Sequence, residues 1–226
     1  MSQVNSTRKT AVTAGVLFII ATVAALLAAA FEPVLTGADY LTRLSAPTNQ
    51  VAAGALFYLI AALGSAGIAI SMYPVMKGSN PGLALGSVVF RALEAVMYMA
   101  AVVSLLSVLT LGRQLASAAA ADRASFRAVG DSLVSVRDHA MLLGVFAFCL
   151  GAFMYYLLFF RSRLIPRWLS GWGIAAIILM MVACVSSLFS DRPVTGYVPL
   201  VLPIAVQEMV LAVWLIARGF SEAESK

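Results

Sequence analysis

Charge is scarce in this chain. Asp, Glu, Lys and Arg together make up 11% of the 226 residues, hydrophobic residues make up 62%, and the mean hydropathy is +0.97. A soluble domain carries about 25% charged and about 45–50% apolar residues, so these proportions exclude a soluble globular fold. Histidine is almost missing: His139 is the only one. One histidine cannot supply the multi-histidine site of a zinc hydrolase. Cysteine is limited to Cys149 and Cys184, each deep in an apolar run. Without a CxxC or a Cys/His pairing they suggest no metal, and both read as small hydrophobes. The net charge of +5 and the pI near 9.5 come without an interleaved basic and aromatic stripe, so nucleic acid is excluded as a partner. The basic residues gather in loops at the ends of apolar runs, where topology control and anionic lipid account for them.

Long apolar runs are what the chain has instead. A membrane span needs about 20 apolar residues at 1.5 Å rise each. Six stretches qualify: residues 11–31, 51–75, 83–111, 139–160, 168–189 and 198–217. The first follows Arg8 and Lys9 and resembles a signal peptide, but it is longer than the usual apolar region of about 7–15 residues, so an uncleaved span is expected. Arg8, Lys9, Lys77, Arg161, Arg163, Arg167, Arg218 and Lys226 would lie on one side of the bilayer. Arg43, Arg113, Arg123, Arg127, Arg137 and Arg192 would lie on the other, partly offset by Asp122, Asp131 and Asp138. That modest bias, with the tight cluster at Arg161 and Arg163, places the N- and C-termini in the cytoplasm.

The loops between runs are not bland. Residues 32–50 carry Pro33 and Pro47 together with Val34, Leu35, Tyr40, Leu41 and Leu44, too apolar for a free linker, and read as a short interfacial helix or a lid. Residues 112–137 place Leu115, Phe126, Val129, Leu133 and Val136 at roughly helical spacing. They read either as extensions of the third and fourth spans or as helix lying on the membrane. Trp168 and Trp172 follow the basic cluster as interfacial anchors. Gly54, Gly64, Gly67, Gly144 and Gly151 give small faces on which helices approach closely, and which permit a homo-oligomer.

Three ionisable residues lie where the bilayer is driest. At 1.5 Å per residue Arg91 and Glu94 are about 12 and 16 Å into the third span, and Glu208 is about 15 Å into the sixth. A charge in hydrocarbon costs several kcal/mol, so all three should face inward and satisfy one another. Arg91 and Glu94, three apart, share a helix face, and a guanidinium has donors enough to bridge two carboxylates. One cation with two anions leaves an excess negative charge, and the economical remedy keeps one carboxyl protonated. Glu94 and Glu208 are therefore expected to share a proton, which the site could release or exchange for a cationic ligand, while Arg91 could hold an anionic group. Tyr98, one turn beyond Glu94, and Gln207, beside Glu208, are added as candidate binding residues. The contrasting reading is a buried ion-pair cluster that only fixes helix register. His139 and Asp138, at the start of the fourth span, are candidates for an outer gate or a helix cap.

Phe31-Glu32-Pro33-Val34-Leu35, Arg91-Ala92-Leu93-Glu94, Ile165-Pro166-Arg167-Trp168-Leu169 and Gln207-Glu208 running through Trp214-Leu215 to Gly219-Phe220 occur in that order. In these stretches the chain resembles the domain-of-unknown-function 4386 family of uncharacterised bacterial membrane proteins. The resemblance implies a six-span protein of the bacterial inner membrane and no particular activity.

Taken together, the sequence predicts an all-α polytopic membrane protein: one transmembrane domain over residues 1–226, a bundle of six spans with cytoplasmic termini. Two function classes are kept. One is a small transporter or ligand-binding membrane protein with a proton-exchanging midplane site, whose partners are membrane lipid and a small molecule or ion. The other is a non-catalytic subunit or sensor with a structural cluster. The balance leans against an enzyme: an intramembrane lipid enzyme lacks a recognisable nucleophile or metal set, so no catalytic residue, metal or cofactor is assigned.

Overall fold

The computed structural model describes residues 2–37, 39–44, 48–119, 122–190 and 192–221. Pro47 and Lys226, named above, lie outside them. Secondary structure among these residues is helical throughout: α1 (Ser2–Ala30), α2 (Tyr40–Leu44), α3 (Thr48–Met76), α4 (Pro81–Leu115), α5 (Arg123–Ser162), α6 (Arg167–Leu188) and α7 (Val198–Ala217), with one turn of 3-10 helix at Val194–Gly196. Six of these helices, all but α2, are long and apolar enough to cross a membrane. The chain is a multi-pass integral membrane protein.

The spans pack as a closed ring in chain order: α1 on α3, α3 on α4, α4 on α5, α5 on α6, α6 on α7, and α7 back on α1. Short connections make consecutive helices antiparallel neighbours. The start of α1 and the end of α7 therefore share one face of the bundle (the terminal face), and the connection from α1 to α2 lies on the opposite face (the loop face). The ring closes through side chains as well. Arg8 of α1 donates to the Leu215 carbonyl at 3.2 Å and the Ile216 carbonyl at 2.5 Å, so a cation caps the carbonyl end of α7. Gly219 follows with φ +77°, the left-handed conformation that ends a helix without a Cβ clash.

Small residues set the helix spacing. A Cβ on Gly64 of α3 would sit 3.1 Å from the Ala21 Cβ of α1, and one on Gly15 of α1 would meet the Ala212 carbonyl of α7 at 2.8 Å. The outward surface is apolar: Leu26, Leu63 and Val103 are 67%, 60% and 64% exposed. Such a belt suits lipid, where helix association relies on close packing instead of water exclusion.

Two helices outrun the spans expected for them. α4 continues to Leu115, and α5 begins at Arg123 instead of near His139, so residues 112–115 and 123–137 extend the third and fourth spans instead of lying flat. Their projecting ends hold α2. Tyr40, Leu41 and Leu44 are buried against Leu105, Val108 and Leu109 of α4, with Leu133 and Val134 of α5 beside them. The long first connection is thus a cap wedged onto α4 and α5, pinned by Arg127, which donates to the Gly37 carbonyl at 3.3 Å.

Candidate functional site

Arg91 and Glu94 share the inward face of α4, as their spacing requires, and are 2% and 3% exposed. Arg91 Nη1 lies 3.1 Å from Glu94 Oε2. The contact is ionic without an aligned hydrogen bond, since Nη1 has no hydrogen-bond partner among the described residues. Ser65 of α3 donates to the same carboxylate oxygen at 2.7 Å, and Arg91 Nε reaches the Ser65 carbonyl at 3.5 Å. On its other side the guanidinium lies 4.6 Å from the Phe148 ring centroid, a cation–π contact worth about 2 kcal/mol when desolvated. Gly151 makes room for this: a Cβ there would be 3.0 Å from Arg91 Cγ.

Glu208 is half-buried on α7 and accepts a hydrogen bond from the Tyr155 hydroxyl of α5 at 3.3 Å. Gln207 is fully buried, accepts from the Tyr156 hydroxyl, and donates to the Leu169 carbonyl at 3.1 Å. The carboxylate of Glu208 remains within electrostatic reach of Arg91 and Glu94, with Tyr155 between the two halves of the network. Arg91 therefore pairs with one carboxylate, not two, and a phenol serves the second. Tyr98 packs its ring against α5, where a Cβ on Gly144 would be 2.6 Å from Cε1. Among the described residues its hydroxyl makes no hydrogen bond to the cluster.

A second polar cluster lies toward the loop face. Arg137 of α5, 7% exposed, donates to Glu32, just past the end of α1, and to Asp138 at 2.9 Å. The other oxygen of Glu32 accepts the Tyr58 hydroxyl of α3 at 3.3 Å. Asp138 thus belongs to a buried-arginine cluster. His139 is exposed and turned back on its own helix, its Nδ1 2.7 Å from the Ser135 carbonyl. A carbonyl only accepts, so Nδ1 carries the hydrogen there. Among the described residues no three His, Cys, Asp or Glu side chains gather as metal ligands.

Two clefts are developed. One of about 180 Å³ lies on the terminal face, lined by Asn80, Leu83, Leu158 and Arg161. The other, about 370 Å³, is an open groove on the outward side of α4 along Val103, Leu106 and Ser107. Neither is lined by Arg91, Glu94 or Glu208. Arg91 and Glu94 are enclosed by the bundle, whereas Glu208 is half-exposed on α7.

Sequence reasoning passed over Ser65, Tyr155, Tyr156, Glu32 and Tyr58. The Tyr155-Tyr156 doublet was the available signal: two hydroxyls side by side in an otherwise apolar span ask for partners, because a buried phenol usually finds one.

In a comparison against known families, the model for a domain of unknown function, DUF4386, matches residues 13–219. No curated protein and no solved structure matches the chain. The match covers nearly the whole chain, which belongs to the DUF4386 family.

Proposed function

We propose that this is a small proton-coupled transporter or ligand-binding protein of the bacterial cytoplasmic membrane, with both termini in the cytoplasm. Its working site is the midplane network of Arg91, Glu94 and Glu208. One observation carries the reading: two carboxyls, the buried Glu94 of α4 and the half-buried Glu208 of α7, lie within electrostatic reach of a single buried guanidinium. Fully ionised, the network holds one negative charge in excess in a low-dielectric setting, which is costly. One carboxyl therefore holds a proton at rest, and Glu208 is the better holder, because Glu94 already has Arg91 and Ser65 against one oxygen. Loss of that proton makes the site attractive to a cation, and gain of it restores the closed state.

Carboxyl-stretch infrared spectroscopy of the purified protein in lipid tests this. The expected result is a protonated-carboxyl band that disappears in Glu208→Gln and persists in a control such as Glu32→Gln. No band attributable to Glu208 or Glu94 would overturn the reading.

A second reading is a purely structural brace, favoured by the absence of Arg91, Glu94 and Glu208 from both clefts. Arg91→Ala separates the two. A working site loses proton exchange while the variant still assembles, whereas a brace loses the fold.

A further inference from the structure

Charge on the terminal face is of one sign. Among the described residues, Glu94 and Glu208 are at the midplane, and every other acid, from Glu32 to Asp138, lies toward the loop face. The terminal face carries bases alone, from Arg8 and Lys9 near the start of α1 to Arg218 past the end of α7. Three of these bases are engaged within the bundle. Arg8 caps α7, the Arg167 guanidinium lies 5.3 Å from the Phe160 ring centroid, and the Lys77 ammonium lies 5.8 Å from that of Tyr73. Arg161, exposed in the last turn of α5, makes no hydrogen bond or ion pair with a described residue. It lines the cleft of about 180 Å³ between the start of α4 and the end of α5.

The rest of that cleft suits an anion with an apolar attachment. Ser79 and Asn80 line it on one side, Ser162 on the other, with Leu83 and Leu158 between, and among the described residues no carboxylate lines it. Asn80 Oδ1 already accepts the Leu83 N–H at 2.9 Å, which leaves the Asn80 amide nitrogen to donate. Ser162 uses its own hydrogen on the Leu158 carbonyl at 2.8 Å, so Ser79 and Asn80 are the neutral donors beside the guanidinium. The fork of an arginine matches the oxygens of a phosphate. The volume falls below the roughly 300–1,000 Å³ of a pocket for a whole small molecule, and so admits a headgroup and not a complete ligand. The apolar belt reaches this level through Leu85 on α4 and Phe160 on α5, both exposed, and the exposed Trp168 at the start of α6 is of the kind that sits at the headgroup layer.

We propose that this cleft is a binding site for one anionic phospholipid, with the headgroup phosphate on Arg161, Ser79 and Asn80 and the acyl chains running toward Leu85 and Phe160. The proposal stands apart from the midplane site and does not rest on it. Basic pockets between helix ends at the membrane surface hold lipid headgroups in this way. A zwitterionic lipid fits less well, because the face offers its cationic group no described carboxylate.

Native mass spectrometry of the full chain in detergent, titrated with phosphatidylglycerol or phosphatidylcholine, tests the assignment. One phosphatidylglycerol should bind per chain in preference to phosphatidylcholine. Arg161→Gln should weaken that binding about tenfold, the low end of what a hydrogen bond to a charged group contributes, while Arg113→Gln on the loop face should leave it unchanged. Asn80→Asp retains an oxygen to cap α4 and sets a carboxylate in the cleft, so it should weaken binding to a similar degree in a chain that still folds. Millimolar inorganic phosphate should not displace the lipid. Equal affinity for the two lipids, or unaltered binding in both Arg161→Gln and Asn80→Asp, would overturn the proposal. Displacement by inorganic phosphate would overturn it too, and would assign the cleft to a free anion.

Discussion

Arg91 is the residue around which the rest is arranged. Its charge is offset by Glu94 within its own helix turn, by the Phe148 face and by the Ser65 carbonyl, so α3, α4 and α5 each contribute to keeping one guanidinium in the core. Removing one member of a buried pair costs about 3–5 kcal/mol, because the other is left uncompensated. The glycines facing this cluster are spaces already filled by neighbours. Gly144→Ala would put a Cβ 2.6 Å from the Tyr98 ring, and overpacking of that kind costs about 1–3 kcal/mol. Gly67→Ala on α3 meets Leu17 only at an ordinary 3.4 Å, and should be neutral or slightly stabilising through helix propensity. Thermal unfolding of the two variants in one detergent should therefore separate them, with Gly144→Ala the less stable. Equal melting points would mean that the Tyr98 ring has room to move.

At the scale of elements, the cap formed by α2 is held by an unusual tyrosine. Tyr40 is 2% exposed and packs against Gly130, while Asp131 faces its hydroxyl without an aligned hydrogen bond. Burial first, and then the Asp131 carboxylate, push the phenol from its ordinary 10.0 up to about 12. Between those values the undocked chain has already lost a proton that the docked chain keeps. The stability that the docked phenol contributes is thus full below pH 10 and is lost as pH rises through about 12. Hydrogen exchange over residues 39–44 should accelerate across that interval, and Tyr40→Phe should flatten the dependence attributable to this residue. A Tyr40→Phe profile identical to that of the unaltered protein would contradict it.

The elements show what a sequence can and cannot reveal. Six spans were readable because an apolar run of the right length has few other fates, and Arg91 with Glu94 because three residues is a fixed angle on a helix. The far reach of α4 and α5 was obscured by the small, Ala-rich stretch between them, which suits a surface helix as well as a projecting one. The partners of the site were hidden for a different reason. Ser65 sits among glycines and looks like a packing residue, and Glu32 and Arg137 are 105 positions apart, so no local pattern joins them. Glu208 meets Tyr155 of α5 instead of Arg91, a contact between helices that are not neighbours in the ring, so the sequence carries no local sign of it.

The molecule as a whole is a ring of six antiparallel spans, tied at its terminal face by Arg8 on the end of α7 and at its loop face by Glu32 on Arg137. Both ties engage α1, by its start and just past its end. The outward apolar belt suits lipid, and the charge that remains lies in the two polar clusters or near the ends of the spans. The central claim is that the midplane cluster is a working, proton-exchanging site. A high-resolution structure in lipid at two pH values, on either side of the titration of the carboxyl band, tests it most directly. At one of the two, ordered water or ligand density should touch Arg91 Nη1 and Glu208, with a passage to one face of the bundle. The same dry, closed cluster at both pH values would contradict the account and leave Arg91, Glu94 and Glu208 as a brace.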